Sequence, residues 1–223
     1  MITERANIIR QNRKSIKILI TENGEINIYA PKHISNSDIE KLVGNKESWA
    51  IKKSQKQKEN QSRFENLIKY ESVLICGKEY IIKFEKTKSI GIFAPYIIVP
   101  AKYQEISKLK TALKKWFKSL AEELLTKRAM QLSYECNYAI SGIKIGDFRA
   151  KWGSCDTNKL IKLNYKLTMI PHKLIDAVIL HELVHTKEMN HSDKFYILLI
   201  KLMPDYKKVR AELKNYGYLL KMY

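Results

Sequence analysis

The stretch Leu180-His181-Glu182-Leu183-Val184-His185, continued by Thr186-Lys187-Glu188-Met189-Asn190-His191, decides how the rest of the chain is read. On a helix, His181 and His185 lie one turn apart on one face. Two imidazoles so placed can each offer a ring nitrogen to one Zn²⁺ at about 2.0–2.1 Å. Glu182 follows the first histidine directly, so its carboxylate projects beside the metal position, where it can act as general base toward water. A third histidine, His191, falls six residues after His185, where the chain should just have left the helix.

This is the H-E-x-x-H spacing of zinc metallopeptidases, with the glutamate as base rather than ligand. The chain has only five histidines, and the spacing should arise by chance on the order of once in a hundred such sequences. Pro171 suits the first turn of the helix, and Leu174, Ile175, Val178 and Ile179 supply a buried stripe leading to the motif. The competing reading is a core helix with two satisfied histidines, which this context disfavours. A catalytic zinc keeps three protein ligands and one open position. His191 is the first candidate for the third ligand; Glu188 or Asp193 would instead give a His-His-carboxylate site. His172 and His33 read as surface residues.

Outside the motif, composition sets bounds. With 223 residues, 45% of them hydrophobic, the chain can build one large core or two small domains. No apolar run approaches the ~20 residues that span a bilayer, and Met1-Ile2-Thr3-Glu4-Arg5 lacks the apolar core of a signal peptide. Cys76, Cys136 and Cys155 are odd in number and far apart, which argues against a disulfide framework. A cytoplasmic protein with no membrane partner is expected. The net charge of +18 raises the possibility of a nucleic-acid partner. Only seven of the 41 basic residues are Arg, however, and +12 of the charge precedes Met130, outside the motif segment. A solvated basic surface is the preferred reading.

Residues 8–30 read as a β-hairpin in which Ile16, Ile18 and Ile20, then Ile26, Ile28 and Ala30, alternate across a turn at Glu22-Asn23-Gly24-Glu25. Ser35-Asn36-Ser37-Asp38 caps a helix carrying Ile39, Leu42, Val43 and Trp49. The basic run Lys52–Lys58 reads as a helix end or a connection, and the chain divides into residues 1–70 and 71–223. Strand character returns over Val73–Phe84 and Ile90–Val99, with a tight turn at Cys76-Gly77-Lys78. Leu109, Leu113, Trp116, Phe117, Leu120, Leu124 and Leu125 mark a long amphipathic helix over about 103–134, expected to pack on the motif helix. Two short strands, Ile143–Arg149 and Lys159–Leu163, are joined through Lys151-Trp152-Gly153-Ser154-Cys155-Asp156, read as a turn with Trp152 packed beneath it. Ser192 caps a helix holding Phe195 and Leu199, and Pro204 opens a last helix that Gly217 stops.

Several of these residues together carry a family resemblance. They are Trp152-Gly153-Ser154-Cys155, Ile161-x-Leu163-Asn164, Pro171, His181-Glu182-Leu183-Val184-His185, His191-Ser192-x-x-Phe195 and Met203-Pro204-x-Tyr206. With them, the chain resembles the YgjP-like metallopeptidase family, related in outline to SprT-like and other zincin proteases. The N-terminal hairpin, Ala30-Pro31 and the helix with Trp49 also look like this family, so the resemblance covers nearly the whole chain. It implies an α+β, zincin-like fold in which the H-E-x-x-H helix packs on a mixed β-sheet, preceded by a β-hairpin and helix. It implies one zinc ion on His181, His185 and His191, with Glu182 as base, and the strand nearest the cleft running along a peptide or protein substrate. The spacing to His191 equals that of metzincins, but Glu188 stands at their glycine position. The chain must therefore leave the helix differently, with Asn190 the candidate for a left-handed residue.

Gly153 and Ser154 are candidates for aligning a substrate strand through backbone groups, and Asn164 for a hydrogen bond near the site. Cys155 reads as a small buried hydrophobe rather than a nucleophile. Tyr196 and Arg149 are candidates for an extra donor to the reacting carbonyl oxygen. Two alternative functions remain open: a metal-dependent hydrolase of a non-peptide amide, and a protease recruited to nucleic acid through the basic N-terminal half.

Overall fold

The computed structural model describes residues 1–21, 23–68 and 71–221, of which 60–68 are described as backbone only. Two compact units result, Met1–Asn66 and Leu67–Tyr223, in a mixed α+β architecture with three small mixed sheets.

In the first unit, β1 (Ala6–Gln11), β2 (Lys17–Ile20) and β3 (Ile26–Pro31) form a sheet of order β1-β3-β2. The expected hairpin is β2 with β3, antiparallel, with Ile18 opposite Ile28. Its turn closes through Gly24 N–H donating to the Thr21 carbonyl at 3.1 Å; Glu22 lies outside the described residues. The expectation omitted β1, which pairs parallel on the other side of β3. The central strand is the apolar one: Ile26, Ile28 and Ala30 are buried with Ile2, Ile39, Val43 and Ala50. Ser35 caps α1 (Asn36–Val43), accepting from Asp38 N–H at 3.1 Å. The single helix expected here is broken at Gly44, after which α2 (Glu47–Ile68) begins. Leu42 and Trp49 consequently face solvent instead of the core, and Lys52–Lys58 is helix interior. The hairpin turn sits on α2: a Cβ at Gly24, whose φ is +78°, would lie 2.6 Å from Lys58 Cγ.

The second unit opens with β4 (Ser72–Ile75), β5 (Lys78–Glu85), β6 (Gly91–Phe93) and β7 (Tyr96–Pro100), ordered β4-β5-β7-β6. The predicted turn between β4 and β5 is built from Cys76 and Gly77, both at positive φ. Their N–H groups donate to the carbonyls of Thr168 and Met169, at 2.7 and 3.0 Å. The turn thereby docks on the 3₁₀ segment Tyr165–Met169 that leads into the motif helix.

The long helix α3 spans Ile106–Cys136. Its buried residues Leu109, Leu113, Phe117, Ala121, Leu125 and Ala129 recur every four positions, which gives one continuous stripe. Each fully buried Leu or Phe contributes roughly 1.5–3 kcal/mol relative to exposure. Asn137 ends the helix in a left-handed conformation, its N–H returning to Ser133 and Tyr134 carbonyls.

The third sheet corrects the two-strand expectation. Between β8 (Gly142–Gly146) and β10 (Leu160–Asn164), residues Gly153–Cys155 form a strand, β9, rather than a turn. The order is β8-β10-β9, with β8 parallel and β9 antiparallel to β10. β9 is therefore an edge, and it lies against α4 (His172–His185), the motif helix. Pro171 is the residue before the first helical position of α4. Leu174, Ile175, Ala177, Val178, Ile179, Leu180, Leu183 and Val184 are all buried, so α4 is an interior helix despite its β-branched residues. Arg128 of α3 holds it by a bidentate ion pair to Asp176, at 2.7 and 2.8 Å. Helices α5 (Asp193–Leu202) and α6 (Tyr206–Leu213) complete the unit. Ser192 caps α5 as expected, but Gly217 stops nothing: a 3₁₀ segment runs through it over Lys214–Lys221. No helix among the described residues is long and apolar enough to cross a membrane.

Candidate metal centre and active-site cleft

Three histidines meet at one end of α4. One ring nitrogen from each of His181, His185 and His191 can be chosen so that all lie within 4.8 Å of one another. Glu188 and Asp193, the rival ligands, are not part of this group, and Glu188 instead faces Lys194 at 3.9 Å. α4 ends at His185, and the chain turns away through Lys187 and Glu188 N–H groups, both donating to the Val184 carbonyl at 3.0 Å. Asn190 is not left-handed, contrary to expectation. The exit is a helical turn that unwinds over Thr186–Glu188 and needs no positive φ. Ser192 then restarts the chain as α5, which leaves His191 facing back toward α4.

The hydrogen bonds of the imidazoles bear on whether a metal fits. His185 Nδ1 lies 3.1 Å from the Glu188 carbonyl oxygen, which can only accept, so the ring proton is on Nδ1 and Nε2 is left with a free lone pair. His181 Nδ1 is 2.9 Å from the Tyr206 hydroxyl. His181 Nε2 and His191 Nε2 face each other at 3.0 Å, a spacing that only a shared proton or a cation makes favourable. Burial first, then the neighbouring His185 and His191, push the His181 imidazolium down to about 3, and burial likewise lowers His185. Imidazole nitrogens converging in this way suit a divalent ion with nitrogen preference. Phe195 forms the floor, its ring centroid 4.9, 4.6 and 4.7 Å from those of His181, His185 and His191.

Glu182, which lines the same cleft as His181 and His191, packs against Gly153 of β9. It is 5% exposed, and burial raises its carboxyl to about 7, against smaller opposing effects of Lys151 and the Cys155 N–H. A Cβ at Gly153 would sit 2.9 Å from Glu182 Cγ and Oε1, so glycine is what allows the edge strand to lie this close to the carboxylate. Burial, with Glu182 and Asp156 nearby, pushes the Cys155 thiol up to about 11, which removes it as a nucleophile at neutral pH.

A cleft of about 230 Å³ opens over these groups, walled by α4, by Trp152 and Gly153, and by α6. Trp152 lines this cleft instead of packing beneath a turn. Ser154 accepts a hydrogen bond from Lys151 Nζ at 3.1 Å. Asn164 takes a different role from the one expected. It is fully buried, donating to the Phe148 and Lys151 carbonyls at 2.7 and 3.1 Å and accepting from Lys166 N–H at 3.2 Å. It fixes the loop before β9 and leaves no group for a substrate. Arg149 does not line the cleft; Tyr196 packs beside His191, with centroids 6.3 Å apart.

Two cleft residues escaped the sequence reading as participants. Tyr206 enters the sequence reading only within the family motif, and Arg210 does not enter it. The available clue was their spacing from Leu213, which puts the three on one helical face.

A family model described as YgjP-like, metallopeptidase domain, matches residues 14–216. The comparison with curated proteins returned no match. Among solved structures, the chain is similar to the crystal structure of the metallopeptidase zymogen of Pyrococcus abyssi abylysin, at 16% identity and a TM-score of 0.38. That likeness covers 40% of this chain and 91% of the other.

Proposed function

From the premise that this chain belongs to the YgjP-like metallopeptidase family, we propose that it is a zinc-dependent peptidase of zincin-like construction. In this reading His181, His185 and His191 hold one Zn²⁺ and Glu182 is the general base. The observation that carries it is the convergence of three imidazole nitrogens, two of the rings fixed from behind, beside a buried carboxylate. When bound, zinc supplies Lewis acidity that acidifies water and polarises a carbonyl.

The remaining chemistry belongs to the chain's own groups. The Glu182 carboxylate, with a proton affinity brought near neutrality by burial, is matched to taking a proton from attacking water and returning it to the leaving amine. Tyr206 and the Glu188 carbonyl hold the orientation of His181 and His185, a support that ligating histidines regularly need. The edge strand β9, half-buried against α4, offers Gly153 and Ser154 main-chain groups to an extended peptide, which would bring its carbonyl against Glu182. The free state of Cys76, Cys136 and Cys155 fits a reducing, cytoplasmic setting.

Elemental analysis and a peptide-library digest test this together. Wild type should hold about one zinc per chain and cleave peptides. Glu182→Gln should keep the metal and lose cleavage, and His191→Ala should lose both. A wild type that takes up no zinc, or an E182Q variant that cleaves like wild type, would remove the proposal.

A further inference from the structure

The cleft contains a cation to which the peptidase steps above assign no part. Tyr206, Arg210 and Leu213 lie at i, i+4 and i+7 of α6 and line the same cavity as His181 and Glu182. Arg210 is exposed, and among the described residues it forms no ion pair with a carboxylate. Asp205, at the start of the same helix, pairs with Lys173; among the described residues the one carboxylate lining the cleft is Glu182, with which Arg210 forms no ion pair. Lys151, the other cation near Glu182, already donates to Ser154 Oγ and lies over the Phe148 ring, its Nζ 5.3 Å from the centroid. A guanidinium presents five N–H donors in a rigid fork that matches a carboxylate and is otherwise satisfied only by water. On the wall of a concave site such a fork is a receptor for an anion.

The size of the cavity limits where that anion can be on a bound peptide. A volume of about 230 Å³ is roughly 8 Å across, the length of about two extended residues. We propose that Arg210 is a specificity-determining residue that binds a substrate carboxylate within one or two residues of the bond cleaved. The inference rests on the peptidase reading given above. Two sources supply this chemistry, the α-carboxylate of a substrate's C-terminal residue and the side chain of an Asp or Glu.

The test uses the full chain and seven acetylated pentapeptides: pentaalanine as free acid, pentaalanine amide, and five amides with Glu at each position in turn. Binding is measured by calorimetry on metal-free protein, and cleavage on zinc-loaded protein. Wild type should prefer one of the carboxylate-bearing peptides over the neutral amide by about tenfold or more in both assays. Arg210→Gln should bring that ratio close to one, and Arg210→Glu should invert it. Preference for the free acid identifies a carboxypeptidase; preference for internal Glu identifies an endopeptidase reading acidic side chains. Equal treatment of all peptides by wild type, or a ratio unchanged in R210Q, overturns the proposal. Because Arg210 is exposed, these variants should fold, as unchanged far-ultraviolet circular dichroism would verify. Cleavage without discrimination would sink this inference and leave the peptidase reading standing. Arg210-dependent binding of the acid by metal-free protein, with no cleavage by zinc-loaded protein, would sink the peptidase reading and keep the Arg210 site.

Discussion

Gly153→Ala isolates the relation between the edge strand and Glu182, the carboxylate proposed as general base. The added Cβ would lie 2.9 Å from Cγ and Oε1 of Glu182, whereas ordinary contact between heavy atoms begins near about 3.5–4.0 Å. Glu182 must therefore retreat by roughly 0.6–1.1 Å. Gly153 does not have a positive φ, so alanine introduces no backbone strain there. The atoms displaced include Cγ of a side chain that is only 5% exposed, so overpacking should cost about 1–3 kcal/mol, or about 2–12 °C in Tm. Function should suffer far more, because misplacing a catalytic group by about 1 Å can lower the rate about 100-fold. The assay is kcat and KM on a fluorogenic peptide, with zinc content and Tm measured on the same preparation. We expect kcat down about 30- to 100-fold, zinc unchanged and the fold intact. Gly142→Ala is the control: it sits in the same sheet, and its Cβ would meet only Leu160 at 3.4 Å. A G153A enzyme with wild-type kcat would refute the argument that Glu182 acts from the position it occupies beneath β9.

Tyr206→Phe removes the partner of His181 Nδ1 and should weaken zinc binding about 10- to 100-fold in a chelator-competition titration; unchanged affinity would assign Tyr206 to packing. Asp147→Asn addresses acid stability. Asp147 is raised by burial but brought below the usual carboxylate range by the combined Lys114 and Lys166 ammoniums. A depressed carboxyl stabilises the fold above its unfolded pKa near 3.9 and loses that contribution as pH falls through the folded value. Urea denaturation should therefore show D147N less stable than wild type by about 2 kcal/mol at pH 6. The gap should close on acidification to about pH 2, and a gap that persists there would contradict the ion-pair account. Gly77→Ala should destabilise by about 2 kcal/mol or more, because its φ is +80° and the Cβ would fall 2.6 Å from Pro171 Cγ. A Tm within 1 °C of wild type, about the resolution of the measurement, would show that the β4–β5 turn does not brace the start of α4.

Local patterns in the sequence reached the features with local causes. The α3 stripe, the Ser35 and Ser192 caps, the Cys76-Gly77 turn and the β2–β3 hairpin each need only residues within a turn or a strand of one another. The convergence of His181 and His185 likewise follows from helical spacing, and His191 could be added from its place six residues after His185 and from the family resemblance. What the sequence hid was pairing at a distance. β1 adds in parallel to β3, a register that no short-range signal encodes. β9 is only three residues long and contains Gly153, so by composition it reads as a turn; it is a strand because Ser154 and Cys155 pair with Lys162 and Ile161. Leu42 and Trp49 fit a single amphipathic helix on paper, but the break at Gly44 rotates one segment against the next and turns both outward.

The same distinction explains which site residues were found. Glu182, His181 and His185 share one helix, so their relation is fixed by 3.6 residues per turn whatever the rest of the chain does. Gly153, Tyr206 and Arg210 come from β9 and α6, and their positions depend on how those elements pack against α4. Asn164 shows the converse. As a polar residue beside the motif it looked like a contact for substrate, yet full burial makes its amide answer to the backbone around it, since an unmet buried donor costs about 1–3 kcal/mol. Its two donated bonds close the 148–151 loop, and its own N–H donates to the Trp152 carbonyl at 2.8 Å. That anchors the residue preceding Gly153, and so sets the strand edge against Glu182. A buried amide seventeen residues from the motif thus shapes the cleft through β9 without facing it, which is why substitution there should alter substrate alignment and stability together, whereas substitution at exposed Arg210 should alter preference alone.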